Sequence, residues 1–223
     1  MPESAVPRLA LFDLDRTLIA VNSATGWIKR EVRLGFLTRR QAMRGAYEIA
    51  KYQLGFSRME QTIEDAVRAL AGDEEAAVAR RTLDFWREEV ARTVRPGARA
   101  AVQAHLDAGD HVALLTSSSE YMCRAVAEDL PFERWGCNRF EVVDGRFTGE
   151  VRKPLCYGEG KIHHAEALAA ELGLSLEDCV FYTDSYSDLP GLEAVGQPVV
   201  VHPDPRLARH ARRRGWPIVD WGP

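Results

Sequence analysis

Short apolar runs alternate with amphipathic stretches along most of this chain. The runs over residues 8–14, 111–116, 180–184 and 198–201 have the length and composition of buried strands. Between them, apolar residues recur three and four positions apart, which is the spacing of a helix that buries one face. Strands that alternate with helices build a parallel sheet covered on both sides. The pattern therefore predicts an α/β fold.

Residues 21–93 depart from this alternation because their periodicity is helical throughout. A structureless loop of this length inside a compact domain is uncommon. We therefore expect an inserted α-helical cap subdomain over 21–93 and a core domain assembled from 1–20 and 94–223. Helix-start signals within the insertion stand at Asn22 or Ser23, at Thr38, at Ser57, where Glu60 completes a capping box, and at Asp73.

A β-hairpin is predicted within the second part of the core. Two strand-like runs, 140–143 and 146–149, flank the dipeptide Asp144-Gly145. An Asp-Gly pair favours the tight turn whose twist matches that of the strands it joins. The core is thus expected to carry a two-stranded hairpin in addition to its parallel sheet.

Composition and charge narrow the classes of partner. The 223 residues are 46% hydrophobic and 28% charged, and the net charge is −4, so we expect no attraction to nucleic acid or to an anionic membrane surface. No apolar run is long enough to cross a bilayer, and the first residues lack the features of a secretion signal. The four cysteines form no paired metal motif. We expect reduced thiols and a cytoplasmic location, while the oligomeric state stays unknown.

Residues with catalytic chemistry stand where the predicted strands end. Asp13 and Asp15 follow the first strand, Thr116 ends the second, and Asp184 and Asp188 follow a later one. The carboxyl ends of parallel strands meet at one edge of a sheet. Carboxylates gathered there without His or Cys partners suit a hard cation, above all Mg²⁺. A hydroxyl at a helix start suits a phosphate oxygen, so this edge predicts a site for a phosphate group on Mg²⁺.

These residues resemble an ordered set of family motifs. The run Asp13-Leu14-Asp15-Arg16-Thr17 is similar to the first motif, DxDxT, of the haloacid dehalogenase superfamily of phosphotransferases. Leu114-Leu115-Thr116-Ser117 resembles the second motif, Lys161 the third, and Asp184-Ser185-Tyr186-Ser187-Asp188 the fourth. The position of the helical insertion and the hairpin resemble the phosphoserine phosphatase-like branch, subfamily IB. The resemblance implies a Rossmann-like three-layer core and a Mg²⁺-dependent phosphatase acting on a small phosphorylated metabolite.

The resemblance also implies a role for each motif residue. Asp13 would attack phosphorus and form an aspartyl-phosphate, and Asp15 would act as general acid and then as general base. Thr116, with the amide of Ser117, would hold the transferring phosphoryl group. Lys161 would neutralise charge on Asp13 and on the phosphate. The ligands of Mg²⁺ would be Asp13, Asp15 through its backbone carbonyl, Asp184 and, through water or from behind these ligands, Asp188.

The substrate prediction depends on two departures from phosphoserine phosphatases. Those enzymes carry a Glu after the first motif and a cap Arg that pairs with the substrate carboxylate, and an ungapped comparison places Asn22 and Glu64 there. Because a Glu repels a carboxylate and attracts an ammonium group, we expect a phosphomonoester with an amine and no carboxylate, such as histidinol phosphate or phosphoethanolamine. Phosphoserine remains an alternative substrate. Phosphotransfer to an alcohol and a catalytically silent binding module remain alternative functions.

Overall fold

Parallel strands form the central sheet of the protein. A computed structural model describes residues 7–40, 43 and 59–223. Its strands are β1 (Leu9–Phe12), β2 (His111–Ser119), β3 (Arg134–Asn138), β4 (Phe140–Val143), β5 (Arg146–Val151), β6 (Cys179–Thr183), β7 (Gln197–Val201) and β8 (Ile218–Val219). Within the described residues six of them lie in the order β3-β2-β1-β6-β7-β8, and every neighbouring pair is parallel, while β4 and β5 form a separate antiparallel pair. The predicted α/β fold is therefore confirmed.

Helices cover both faces of this sheet. The α-helices of the described residues are α1 (Ser23–Arg33), α2 (Met59–Arg68), α3 (Glu75–Phe85), α4 (Pro96–Asp107), α5 (Glu120–Val126), α6 (Gly160–Ala170), α7 (Leu189–Ala194) and α8 (Pro205–Arg214). In these ranges no helix combines the length and apolar character that a membrane span needs. Leu9 and Leu11 of β1 belong to an apolar cluster with α6 and α8, whereas Ala10 and Phe12 belong to a second cluster with α4 and α5. Since adjacent residues of a strand point to opposite faces, the core has three layers.

Some boundaries of the core elements differ from the sequence prediction. Strand β2 continues to Ser119, three residues beyond its predicted end. The sequence pattern does not predict β3, because Gly136 and Asn138 interrupt its short apolar run. Both differences matter for function, since the extended end of β2 and the end of β3 lie beside each other at the edge where the site is predicted.

The helical insertion leaves the core and returns to it at one point. Ile19 pairs with Val94 in an isolated antiparallel bridge. Asn22 caps α1 by accepting a hydrogen bond from the backbone N–H of Thr25 at 2.9 Å, which agrees with one of the two predicted helix starts. Most of the helix predicted after Thr38, and the capping box predicted at Ser57, lie outside the described residues.

The returning end of the insertion is packed into the core. Phe85, Trp86 and Val90 lie in α3 and in the π-helical turn Trp86–Val90 that continues it. All three side chains are buried in the apolar cluster that contains Phe12 of β1. The last part of the insertion therefore contributes directly to the core that supports the central strand.

The predicted hairpin is present and is bonded to the insertion through the backbone. Asp144 and Gly145 adopt positive φ angles of 50° and 73°, as a tight turn between paired strands requires. The N–H of Gly72 donates to the carbonyl of Phe147 at 2.8 Å, and the N–H of Phe147 donates to the carbonyl of Asp73 at 3.0 Å. The hairpin is therefore joined to the insertion by backbone hydrogen bonds, although it is encoded in the second part of the core.

Candidate active site

Asp13 occupies the first position after the central strand β1. Its backbone N–H donates to the carbonyl of Tyr182 in β6 at 2.9 Å, which fixes it at the edge of the sheet. The residue is only 6% exposed. Lys161, in the first turn of α6, is also buried, and its Nζ lies 2.8 Å from Oδ1 of Asp13. A carboxylate and an ammonium group from distant parts of the chain therefore meet where the strands end.

Asp188 is the second carboxylate that binds the ammonium group of Lys161. Its Oδ2 lies 2.7 Å from Nζ of Lys161 and accepts a hydrogen bond of 2.6 Å from the hydroxyl of Thr183. Asp188 is 2% exposed, and it ends the short helical turn that follows β6. The sequence prediction placed Asp188 behind the metal ligands or joined to the metal through water, and that role stays a prediction. The observed contacts make Asp188 a partner of Lys161.

Asp184 and Asp15 reach the site from two loops. Asp184 directly follows β6, is buried, and lies 3.4 Å from the hydroxyl of Thr17. Asp15 follows Asp13 by two residues, but β1 ends before them and Arg16 adopts a left-handed φ of 61°. The backbone turns here, and Asp15 accepts a 2.6 Å hydrogen bond from the N–H of the first residue of α1. Asp15 is therefore anchored to the start of the insertion.

The predicted phosphate-binding residues lie at the end of β2. Thr116 is buried, whereas Ser117 is exposed. The hydroxyl of Thr116 accepts a hydrogen bond of 3.1 Å from the N–H of Ser118. The carbonyl of Ser117 accepts a hydrogen bond of 2.7 Å from the side-chain amide of Asn138. Ser117 therefore lies exposed near the end of β2, next to the buried Thr116.

The site holds more negative than positive charge. Burial raises the pKa of Asp13 to about 8, although Lys161 opposes the shift, and Asp188 and Asp184 add to it. Burial and the neighbouring Asp188 raise the pKa of Asp184 to about 7. Burial also raises the pKa of Asp15. Burial would lower the pKa of Lys161, but Asp13 and Asp188 raise it above its ordinary value, so the lysine stays charged. One ammonium group does not balance these carboxylates.

The donor set fits a hard divalent cation. Mg²⁺ is commonly held by one or two carboxylates, with water and phosphate oxygens completing its six ligands. Asp13 and Asp184 can supply two carboxylates, and the backbone carbonyl of Asp15 can supply a third oxygen. Among the described residues, no three His, Cys, Asp or Glu side chains converge as a metal site would need.

The two predicted specificity residues make contacts elsewhere. Asn22 accepts from the backbone and the hydroxyl of Thr25, at 2.9 and 2.8 Å, and so acts as a helix cap. Glu64 of α2 forms an ion pair with Lys153, which follows the hairpin. In the described part of the chain, no hydrogen bond or ion pair joins either of them to Asp13.

Three residues that hydrogen-bond to the site were not predicted from the sequence as part of it. Asn138 bridges the end of β2 to the backbone N–H of Cys156, Thr183 binds Asp188, and Ser23 binds Asp15. The sequence could have indicated Thr183, because it is a hydroxyl residue directly before Asp184. It indicates Asn138 less strongly, because a polar residue at the end of a short strand is common.

Comparison with known proteins agrees with this geometry. The family model described as haloacid dehalogenase-like hydrolase matches residues 10–193. A protein of Mycobacterium tuberculosis strain H37Rv named phosphoserine phosphatase is 35% identical over 216 residues, 95% of this chain and 70% of that protein. A protein of Neisseria meningitidis named histidinol-phosphatase is 29% identical over 218 residues, 96% of this chain and 98% of that protein. A solved structure of unknown function from Bordetella pertussis matches with a TM-score of 0.90 and 31% identity, over 98% of this chain and all of that one.

Proposed function

This chain belongs to the haloacid dehalogenase-like hydrolases and is a phosphatase, and we propose that it hydrolyses a small phosphomonoester through a phosphorylated Asp13, with Mg²⁺ as cofactor. The observation that carries the proposal is the environment of the Asp13 carboxylate. It is buried at the end of the central strand, and Lys161 binds its Oδ1 at 2.8 Å. Oδ2 is then the oxygen with which Asp13 can attack.

The chemistry divides into two displacements at phosphorus. In the first, Oδ2 of Asp13 attacks phosphorus, the bond to the ester oxygen breaks, and Asp15 gives its proton to that oxygen. In the second, Asp15 takes a proton from water, whose oxygen attacks phosphorus and releases phosphate and the free Asp13 carboxylate. The raised pKa of Asp15 supports its role as the acid, because a proton must be present when the ester bond breaks.

Fixed positive charge supports phosphoryl transfer at this site. Positioning and charge neutralisation supply most of the catalysis of phosphoryl transfer. Lys161 is held between Asp13 and Asp188 at 2.8 and 2.7 Å, so its ammonium group needs little rearrangement when phosphate binds. Mg²⁺, held by Asp13, Asp184 and the carbonyl of Asp15, would neutralise charge on the phosphoryl oxygens. The hydroxyl of Thr116 and the N–H of Ser117 would hold the same oxygens by hydrogen bonds.

The proposed substrate carries an amine and no carboxylate, and histidinol phosphate is the first candidate. Glu64 supports this choice as an acidic residue on the insertion. Its ion pair with Lys153 is half-exposed, with 57% of the lysine side chain accessible. Such pairs are worth only about 0–1 kcal/mol, so a substrate ammonium group can compete for the carboxylate. The relative named histidinol-phosphatase, which this chain matches over 98% of its length, favours the same substrate.

Phosphoserine is the second candidate, and the relative named phosphoserine phosphatase favours it. The two candidates differ in the carboxylate, which Glu64 would repel. The test compares kcat/KM for histidinol phosphate, phosphoethanolamine and phosphoserine, with the wild type and with Glu64→Gln. We expect the amines without a carboxylate to be preferred and the preference to shrink in Glu64→Gln. Much faster turnover of phosphoserine would contradict the substrate proposal and leave the phosphatase assignment intact.

The reaction class is tested separately with a chromogenic phosphate ester. Activity with Mg²⁺ that disappears with a chelator supports the proposal, and Asp13→Asn should abolish turnover while the fold is retained. A loss of less than about tenfold in Asp13→Asn would contradict the nucleophile. No activity in any condition would favour the silent binding module, and product that forms only with an added alcohol would favour the phosphotransferase.

A further inference from the structure

Asn138 is a buried amide at the edge of the candidate active site, and the mechanism above does not use it. It is the last residue of β3 and is 2% exposed. Its Nδ2 donates to the carbonyl of Ser117 at 2.7 Å, and its Oδ1 accepts from the N–H of Cys156 at 2.8 Å. One partner is a carbonyl and the other an N–H, so only one orientation of the amide satisfies both.

The side-chain amide of Asn138 lies where the regular pairing between β2 and β3 is interrupted. Strands β2 and β3 pair at Leu115 with Gly136 and again at Ser119 with Asn138. Four steps along β2 therefore correspond to two steps along β3, and residues 116–118 are left without regular ladder partners. Backbone groups at such an irregularity lose their ladder partners and take hydrogen bonds from elsewhere. The side chain of Asn138 supplies one to Ser117.

One peptide group connects Asn138 with Thr116. The carbonyl of Ser117 and the N–H of Ser118 belong to the same planar unit. Asn138 holds the carbonyl, and the N–H donates to the hydroxyl of Thr116 at 3.1 Å. This bond uses a lone pair of the hydroxyl and not its hydrogen, which the hydroxyl can donate to another group. Hydrogen bonds in such a chain also strengthen one another by polarisation.

We propose that Asn138 is a positioning residue for phosphoryl transfer. By fixing the peptide between Ser117 and Ser118, it sets the hydroxyl of Thr116 as a donor to the transferring phosphoryl group. The inference rests on the proposed function, because it assigns Thr116 to that group. A preset donor acts most strongly where charge develops, so the effect belongs to kcat more than to KM.

The experiment combines kinetics, inhibition and a double-mutant cycle. Asn138→Ala removes both hydrogen bonds, and the similarly shaped Asn138→Asp keeps the acceptor for Cys156 but loses the donor when ionised. Thr82→Val is the control, since Thr82 is a buried hydroxyl that donates to the carbonyl of Val78 in α3, away from the site. We measure kcat, KM, thermal stability and the inhibition constant of orthovanadate, which imitates the transferring phosphoryl group.

Both Asn138 variants should lose about tenfold or more in kcat but stay below the 10²–10³-fold cost of removing a donor outright. KM should change by less than about threefold, and vanadate should bind more weakly by a factor close to the loss in kcat. The control should keep the wild-type kcat and inhibition constant. In a Thr116→Val background, Asn138→Ala should cost less than about twofold more, because both changes remove the same donor.

Three results would overturn the inference. They are wild-type vanadate inhibition in the folded Asn138 variants, full additivity with Thr116→Val, and an equal loss in Thr82→Val. If Asn138→Ala does not fold, Asn138→Asp decides the question by the same measurements. An inactive wild type would instead refute the proposed function, so the two failures are distinguishable.

Discussion

Replacing Lys161 with methionine removes the cation that lies between two buried carboxylates. The lysine side chain is 3% exposed, and those of Asp13 and Asp188 are 9% and 3% exposed. Removing one partner of a buried ion pair costs about 3–5 kcal/mol, because the remaining charge is left buried without compensation. Against a total stability of about 5–15 kcal/mol for a folded domain, Lys161→Met should be among the most destabilising single substitutions in the core.

The assay is urea unfolding in the presence of a chelator, followed by tryptophan fluorescence. Lys153→Met is the matched control, because Lys153 is also ion-paired but its side chain is 57% exposed, and such pairs contribute about 0–1 kcal/mol. The extra loss in Lys161→Met should shrink as pH falls below the pKa of Asp13, which is about 8 in the wild type, because protonation removes an unpaired charge. A free energy of unfolding for Lys161→Met within about 1 kcal/mol of the control well above that pKa would refute the reasoning.

Three further predictions concern the insertion and the acidic cluster. Phe85→Ala should lower the free energy of unfolding by about 3–5 kcal/mol in a urea titration, because Phe85 is only 2% exposed. Phe36→Ala is the control and should cost less than about 1 kcal/mol, because Phe36 is 55% exposed. Similar losses in the two variants would contradict the packing of α3 on the core. Asn22→Ala should cost about 1 kcal/mol through loss of the α1 cap, measured by thermal melts, and should leave the preference among phosphate esters unchanged; an altered preference would instead restore Asn22 as a specificity residue. In a chelator, the free energy of unfolding should fall as pH rises from about 4 toward 8. The reason is that Asp13 and Asp184, with pKa values of about 8 and 7, hold protons in the folded chain that the unfolded chain has released. Mg²⁺ should flatten this slope, and a flat profile without metal would contradict the crowding of the carboxylates.

The convergence of Asp13 and Asp184 could be predicted from the sequence because it follows from topology, whereas Lys161 was assigned to the site by the family resemblance. Alternating strands and helices imply a parallel sheet, and residues directly after its strands must come to one edge. The presence of an acidic residue directly after an apolar run was enough to predict that it lies at this edge. The same reasoning predicted the hairpin, whose turn needs positive φ at two adjacent residues.

The partners of Asp188 and Asn138 could not be predicted in this way. Whether Asp188 faces a metal or a lysine depends on how the turn after β6 is oriented, and no periodicity encodes that turn. The role of Asn138 depends on an irregular pairing between β2 and β3, and β3 itself has too few apolar residues to be recognised. Glu64 illustrates a third difficulty, because its ion pair with Lys153 joins residues 89 positions apart.

The backbone ladder between the hairpin and the insertion offers a place for a reporter. The turn at Asp144 and Gly145 is exposed, and the N–H of Glu75 at the start of α3 donates to the carbonyl of Gly145 at 2.9 Å. A fluorophore attached at residue 144 would therefore sense the position of a segment encoded about seventy residues earlier. It would do so without altering any residue assigned here to binding or catalysis.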